Sequence, residues 1–218
     1  MITFKTTATG IGISMQGTTD EFRSLYDLIG KIDDEYFHED ETEHPRHLMI
    51  MSFNYDIRHA FQDVEFNPRK TPASLCKLNL TWADILLYIS LVRQTSAYVS
   101  LSKKEINQLA SLDAGILEAM KEYDPKGAAI NAHLLQPQFD FDTDCLFLIQ
   151  HELHNVHIQA FHGKKGFRKL SMLMHDYLDY YGESHLEIIE HATSYAQKAK
   201  CDIWNLQSTT EYLLVDKW

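Results

Sequence analysis

Cysteine is scarce in this chain. Its three residues, Cys76, Cys145 and Cys201, are odd in number and widely spaced. That excludes a fold built on a disulfide framework and suits buried thiols in a reducing compartment. Long apolar runs are missing as well. The longest, around DILLYISLV and CLFLI, fall far short of the roughly 20 residues that span a bilayer. The opening MITFKTTATGIG has no apolar stretch of the secretory kind. These lacks set the expectation of a cytoplasmic protein without a membrane contact. Positive charge is also in short supply, with 20 Lys and Arg against 31 Asp and Glu and a net charge of −11. Non-specific binding to nucleic acid or to an anionic membrane needs positive surface potential, so both are excluded as expectations. A basic protein partner is the complementary one. Missing, finally, are a glycine-rich phosphate loop, a Gly-x-Ser-x-Gly elbow and a reactive cysteine motif.

What is present is ordinary for a globular protein: 44% hydrophobic and 23% charged residues over 218 positions, enough to bury a sizeable core. The acidity is uneven. Between Asp33 and Glu43 stand seven acids (Asp33, Asp34, Glu35, Glu39, Asp40, Glu41, Glu43) and no base, which reads as a solvated loop.

The opening pattern is β. Ile2 and Phe4, then Ile11, Ile13 and Met15, alternate with polar residues across a Thr9-Gly10 turn. Thr18 to Glu21 reads as a capping box for a helix carrying Phe22, Leu25, Ile29 and Ile32. HLMIMSFNY is expected to be a third strand buried on both faces, and LCKLNL a fourth, ending where Thr81 caps a helix. From there the pattern is helical. Ser102 and Glu105 form a second capping box, Asp142 or Thr143 caps a His-rich helix, and Ser184 and Glu187 form a third box. EYLLV near the end suits a strand returning to the sheet. The expected fold class is α+β: a small N-terminal antiparallel sheet with one helix over residues 1–80, then a mainly helical part over 81–218, in one continuous globular unit.

Three blocks, GIGISMQGTTDEFRSLYDLI, YDIRHAFQ and LTWADILLYISLVR, resemble those of an uncharacterised bacterial domain family. The resemblance covers roughly the first half of the chain. It implies a bacterial origin and assigns no particular activity.

The sharpest chemical signal is HELHNVHIQAFH, which holds four of the twelve histidines between His151 and His162. HELHN misses the HExxH metalloprotease box because Asn155 stands in the place of the second histidine. On a helical wheel Leu146, Ile149, Leu153, Val156 and Ala160 form a core strip, which makes this a central helix. His151, His154 and His157 fan over about 120° and rise about 9 Å, too spread for one ion with bonds of about 2 Å. A pair three residues apart, His151 with His154, supplies two ligands, with a third from His175 or His191. A divalent ion on His151, His154, His175 and His191 is therefore the candidate cofactor site, against the plainer reading of core and surface histidines.

Weaker signals stand beside it. Asp140, Asp142 and Asp144 begin like a calcium loop but lack its glycine and closing glutamate. Arg168 and His175, with six residues between them, resemble the Arg-x4-6-His pattern of HEPN-type ribonucleases. Asp56, Arg58 and His59 combine charges beside an apolar run and suit an internal ion pair better than a catalytic dyad. No catalytic set completes. The expected function is non-catalytic protein–protein contact, as an inhibitor or immunity-type partner of a basic protein. A metal-dependent enzyme and a HEPN-like ribonuclease stand as alternatives. Eleven tyrosines and eleven phenylalanines leave room for a homodimer.

Overall fold

Two capping boxes set the frame. Thr18 Oγ1 accepts from the Glu21 amide while the Glu21 carboxylate accepts from the Thr18 amide at 2.8 Å, starting α1 (Thr19–Tyr36). Ser102 and Glu105 repeat the arrangement at the start of α4 (Lys103–Tyr123). Each box satisfies amides that a helix start leaves orphaned. The structure is a computed structural model that describes residues 2–37, 44–65 and 75–206.

β1 (Thr3–Thr6) and β2 (Gly12–Gly17) form the expected hairpin, with Phe4 opposite Met15. Gly10 supplies the positive φ of +73° that the turn requires. β3 (Cys76–Thr81) pairs antiparallel with the other edge of β2, Leu80 opposite Ile13, giving the order β1-β2-β3. The α+β class with a small N-terminal sheet and a helical majority is what the chain adopts.

HLMIMSFNY is not a strand. It lies within α2 (Pro45–Glu65), so two helices, not one, accompany the sheet. Met49, Ile50, Phe53, Ile57, Ala60, Phe61 and Val64 are buried at helical spacing, while Met51 and Tyr55 are exposed. A short apolar run fits a doubly buried strand and a helix equally well, and here the wider period decides. The acidic loop is also shorter than expected, because Asp33, Asp34 and Glu35 belong to α1. Asp33 is buried, 2.9 Å from His47 Nδ1 of α2 but off the direction of a hydrogen bond. Residues 38–43 and EYLLV at 211–215 lie outside the described residues.

The central helix is α3 (Trp82–Ser96), buried on nearly every side from Trp82 to Val92. Against it pack α1, α2, the sheet and α6 (Leu146–Ala160). The connecting chain passes through α5 (Pro125–Asn131) and a 3₁₀ turn at Ala132–Leu135. After α6 come α7 (Gly163–Phe167), α8 (Leu170–Leu178), α9 (Glu183–Ala199) and α10 (Ile203–Leu206). The third capping box does not form. Gly182 is the N-cap of α9, and Ser184 turns back to donate to Asp176 at 2.6 Å. Cys145, not Asp142 or Thr143, occupies the N-cap of α6, although Thr143 Oγ1 accepts from its amide. Buried apolar side chains from Ile13 to Leu206 form one cluster.

Candidate functional site

α6 carries two polar stripes that face different neighbours. Gln150, His154 and His157, spaced four and three residues apart, share a face turned inward to α3. Leu148, His151 and Glu152 share another, which lines a cavity against α9. His151 and His154, only three residues apart and neighbours on the helix, are separated chemically by the partners each meets.

The inward stripe meets Asp84, the third residue of α3. Its carboxylate accepts from Thr81 Oγ1 at 2.7 Å, from Gln150 Nε2 at 2.8 Å and from His154 Nδ1 at 2.6 Å. Burial alone would raise the Asp84 pKa, but the hydrogen bond and charge of His154, with Thr81 and Gln150, outweigh it and hold the group below its ordinary value. Burial likewise opposes charge on His154, and Asp84 overrides it, so the imidazole pKa is raised. Asp56 of α2 stands near this pair. Burial, then the Asp84 charge, push it up to about 6 against the pull of His59. The buried ion pair on Asp84 and His154 joins two helices of the helical part, and it is not the expected one from Asp56 or Arg58 to the sheet. Arg58 lies over the Tyr55 ring at 4.8 Å. Thr81 is legible as a helix cap, yet nothing in the sequence singles out Asp84 or pairs it with residue 154.

His157 is 1% exposed, and neither ring nitrogen has a hydrogen-bond partner among the described residues. Burial drives its pKa down to about 4, so the ring is neutral at pH 7.

The outward stripe opens onto a cavity of about 590 Å³ between α6, α8 and α9. Leu148, Ile188 and Ala192 give it an apolar floor, Tyr177 and Tyr195 an aromatic wall, and Glu152 and Glu187 two carboxylates, with Lys198 also in the lining. His151 and His191 are both here. Burial lowers the His151 pKa, leaving the ring uncharged at neutral pH.

The four expected metal ligands are therefore divided. His151 and His191 share the cavity, His154 is held by Asp84, and His175 of α8 bonds Asp179 through Nδ1 at 2.8 Å. Among the described residues no group of three or more His, Cys, Asp or Glu is arranged to hold a metal ion. His175 instead faces His133, which sequence reasoning missed. Arg168 is also engaged elsewhere: Nε and an Nη donate to the two oxygens of Asp124, so Arg168 and His175 have separate partners. The calcium-like aspartates Asp140 and Asp142 lie opposite Arg46 and His44.

Fold and site together define an α+β protein with a three-stranded sheet beside a buried central helix and an amphipathic cavity on its helical side. The chain belongs to a family described as a domain of unknown function, DUF6904, whose model matches residues 2–218. No curated protein and no solved structure matches it.

Proposed function

We propose that the protein is a non-catalytic binding protein that contacts a basic protein partner through the cavity between α6 and α9. The observation that carries this reading is the lining itself. A lysine or arginine side chain has an apolar stem and a cationic end. Leu148 and Ile188 suit the stem, Glu152 and Glu187 the charge, and Tyr177 and Tyr195 a cation–π contact. The net charge of −11 steers a basic surface towards the protein and accelerates encounter. An inhibitor or immunity-type role fits such a contact. The free thiols of Cys76, Cys145 and Cys201 suit a reducing compartment such as a bacterial cytoplasm.

The test is calorimetric titration with an arginine- and lysine-rich peptide and with an acidic peptide of equal length. The basic peptide is expected to bind, to weaken with salt, and to lose at least tenfold in affinity in Glu152→Gln/Glu187→Gln. No binding at millimolar peptide, or binding indifferent to that double substitution, overturns the proposal.

A further inference from the structure

The strongest unassigned chemistry lies away from the cavity, on the outer face of α8. Ser171 and His175 lie four residues apart on one face of that helix, and Asp179, four further on at its C-cap, bonds His175. Ser171 and His175 face His133 of the 3₁₀ turn. His133 Nε2 lies 3.5 Å from His175 Nε2 and 3.2 Å from Ser171 Oγ. The two imidazole planes are within 11° of parallel, with centroids 5.8 Å apart. Those distances place the two Nε2 atoms near the line joining the rings, so the nitrogens face each other.

A direct hydrogen bond accounts poorly for this pairing, because 3.5 Å exceeds the usual 2.7–3.2 Å range for a nitrogen donor. Two protonated rings in this position would repel. The tautomer is set on one side: when His175 Nδ1–H donates to Asp179, its Nε2 presents a lone pair. A carboxylate behind the distal nitrogen is the arrangement that orients a histidine for a metal and raises its basicity. Bonds of about 2 Å from two imidazoles to one ion leave their nitrogens roughly 3.5 Å apart at an open tetrahedral angle. Small tilts of the two rings bring both lone pairs onto such an ion. Phe139, edge-on to His175 at 5.2 Å, restricts the swing of that ring.

We infer that His133 and His175, with Asp179 as the orienting carboxylate, form a surface site for a late first-row divalent ion such as Zn²⁺. The ion is bound by two imidazole nitrogens and completes its coordination with water and, where it reaches, the Ser171 hydroxyl. Histidine nitrogens in this number suit zinc over magnesium or calcium, which take oxygen ligands. His175 is half-buried and His133 exposed, so the site opens to solvent. It shares no residue with the α6/α9 cavity and stands independently of the binding role proposed there.

The experiment is calorimetric titration of ZnCl₂ into the full untagged chain, with MgCl₂ as control. One equivalent of zinc is expected to bind with micromolar affinity and magnesium not at all. His133→Ala and His175→Ala each lose at least tenfold, and Asp179→Asn weakens binding by roughly tenfold by disturbing the ring behind the ligand. His151→Ala and His191→Ala leave it unchanged. Circular dichroism checks that each variant folds; should His175→Ala fail, the exposed His133→Ala carries the test. Absence of zinc binding below about 1 mM, or binding that survives His133→Ala, overturns the inference. Loss in His151→Ala equal to that in His133→Ala overturns it too, because it places the ion in the cavity.

Discussion

His154 Nδ1 of α6 lies 2.6 Å from Asp84 Oδ2 of α3, joining residues 70 positions apart inside the core. A charged pair taken out of water gains little over an apolar pair, but losing one member strands the other. His154→Ala leaves a buried carboxylate with only Thr81 and Gln150 to compensate it. The expected cost is about 3–5 kcal/mol in urea unfolding, and Asp84→Leu/His154→Leu is expected to cost less than the single change. The cost also depends on pH. The raised His154 pKa contributes stability that is lost as pH rises through its folded value. The lowered Asp84 pKa contributes stability that is lost as pH falls below its ordinary 3.8. The difference between wild type and His154→Ala should therefore be largest between about pH 4 and 6.5, the ordinary values of the two groups. A cost under about 1 kcal/mol across that window would remove the pair from the core's architecture.

Asp56 predicts the opposite slope. Its carboxyl is pushed up to about 6 from an ordinary 3.8, so the folded state keeps a proton that the unfolded chain releases. Stability from this group falls as pH rises from about 4 to 6. Asp56→Asn removes that loss, and the variant is expected to gain on the wild type as pH rises. Denaturant midpoints of both proteins at pH 4 and 7 measure it, and a pH-independent gap between them would refute the assignment. Asp33, raised to about 6 mainly by burial, keeps part of the slope in the variant.

The local rules read well where one residue decides one bond. Thr18 with Glu21, Ser102 with Glu105, and Gly10 each did their expected work, and hairpin alternation placed Ile13 and Met15 inward. The local rules fail where distant partners decide. The Ser184 hydroxyl had Asp176 as an alternative to capping its own helix. The run from His47 to Tyr55 is strand-like over nine residues and helical only against Ile57, Phe61 and Val64 further on. Spacing pairs His151 with His154 as ligands of one ion, and the fold parts them. Their roles were set by Asp84 on one side and α9 on the other, contacts that spacing does not encode. His133 carried no motif, and only the fold brings it to His175.

His157 offers a gain from removing a polar group. The buried ring lacks a partner for either nitrogen among the described residues, so folding strips its hydration without replacement. His157→Leu keeps a similar volume and is expected to stabilise the protein by roughly 1–2 kcal/mol at pH 7. The folded ring has its pKa lowered to about 4, so wild-type stability drains as pH falls from 6.5 towards 4. The advantage of the variant should grow in that range. Thermal melts at pH 7 and 5 read both effects, and destabilisation at either pH would mean the imidazole has a bonding role.

Gly115 in α4 sets how closely that helix approaches the hairpin. A Cβ there would lie 2.2 Å from the Phe4 ring of β1, where no side chain fits unless the ring shifts. Alanine at a helix interior normally gains about 1 kcal/mol over glycine. The clash is an overpacking problem, costing about 1–3 kcal/mol, and it outweighs the propensity gain. Gly115→Ala should therefore destabilise the chain despite being the better helix former. In Phe4→Ala/Gly115→Ala the obstacle is gone, and the glycine-to-alanine step should become favourable. A double-mutant cycle by urea unfolding separates the two terms. If Gly115→Ala stabilises the protein with Phe4 in place, α4 does not rest on β1 at this distance.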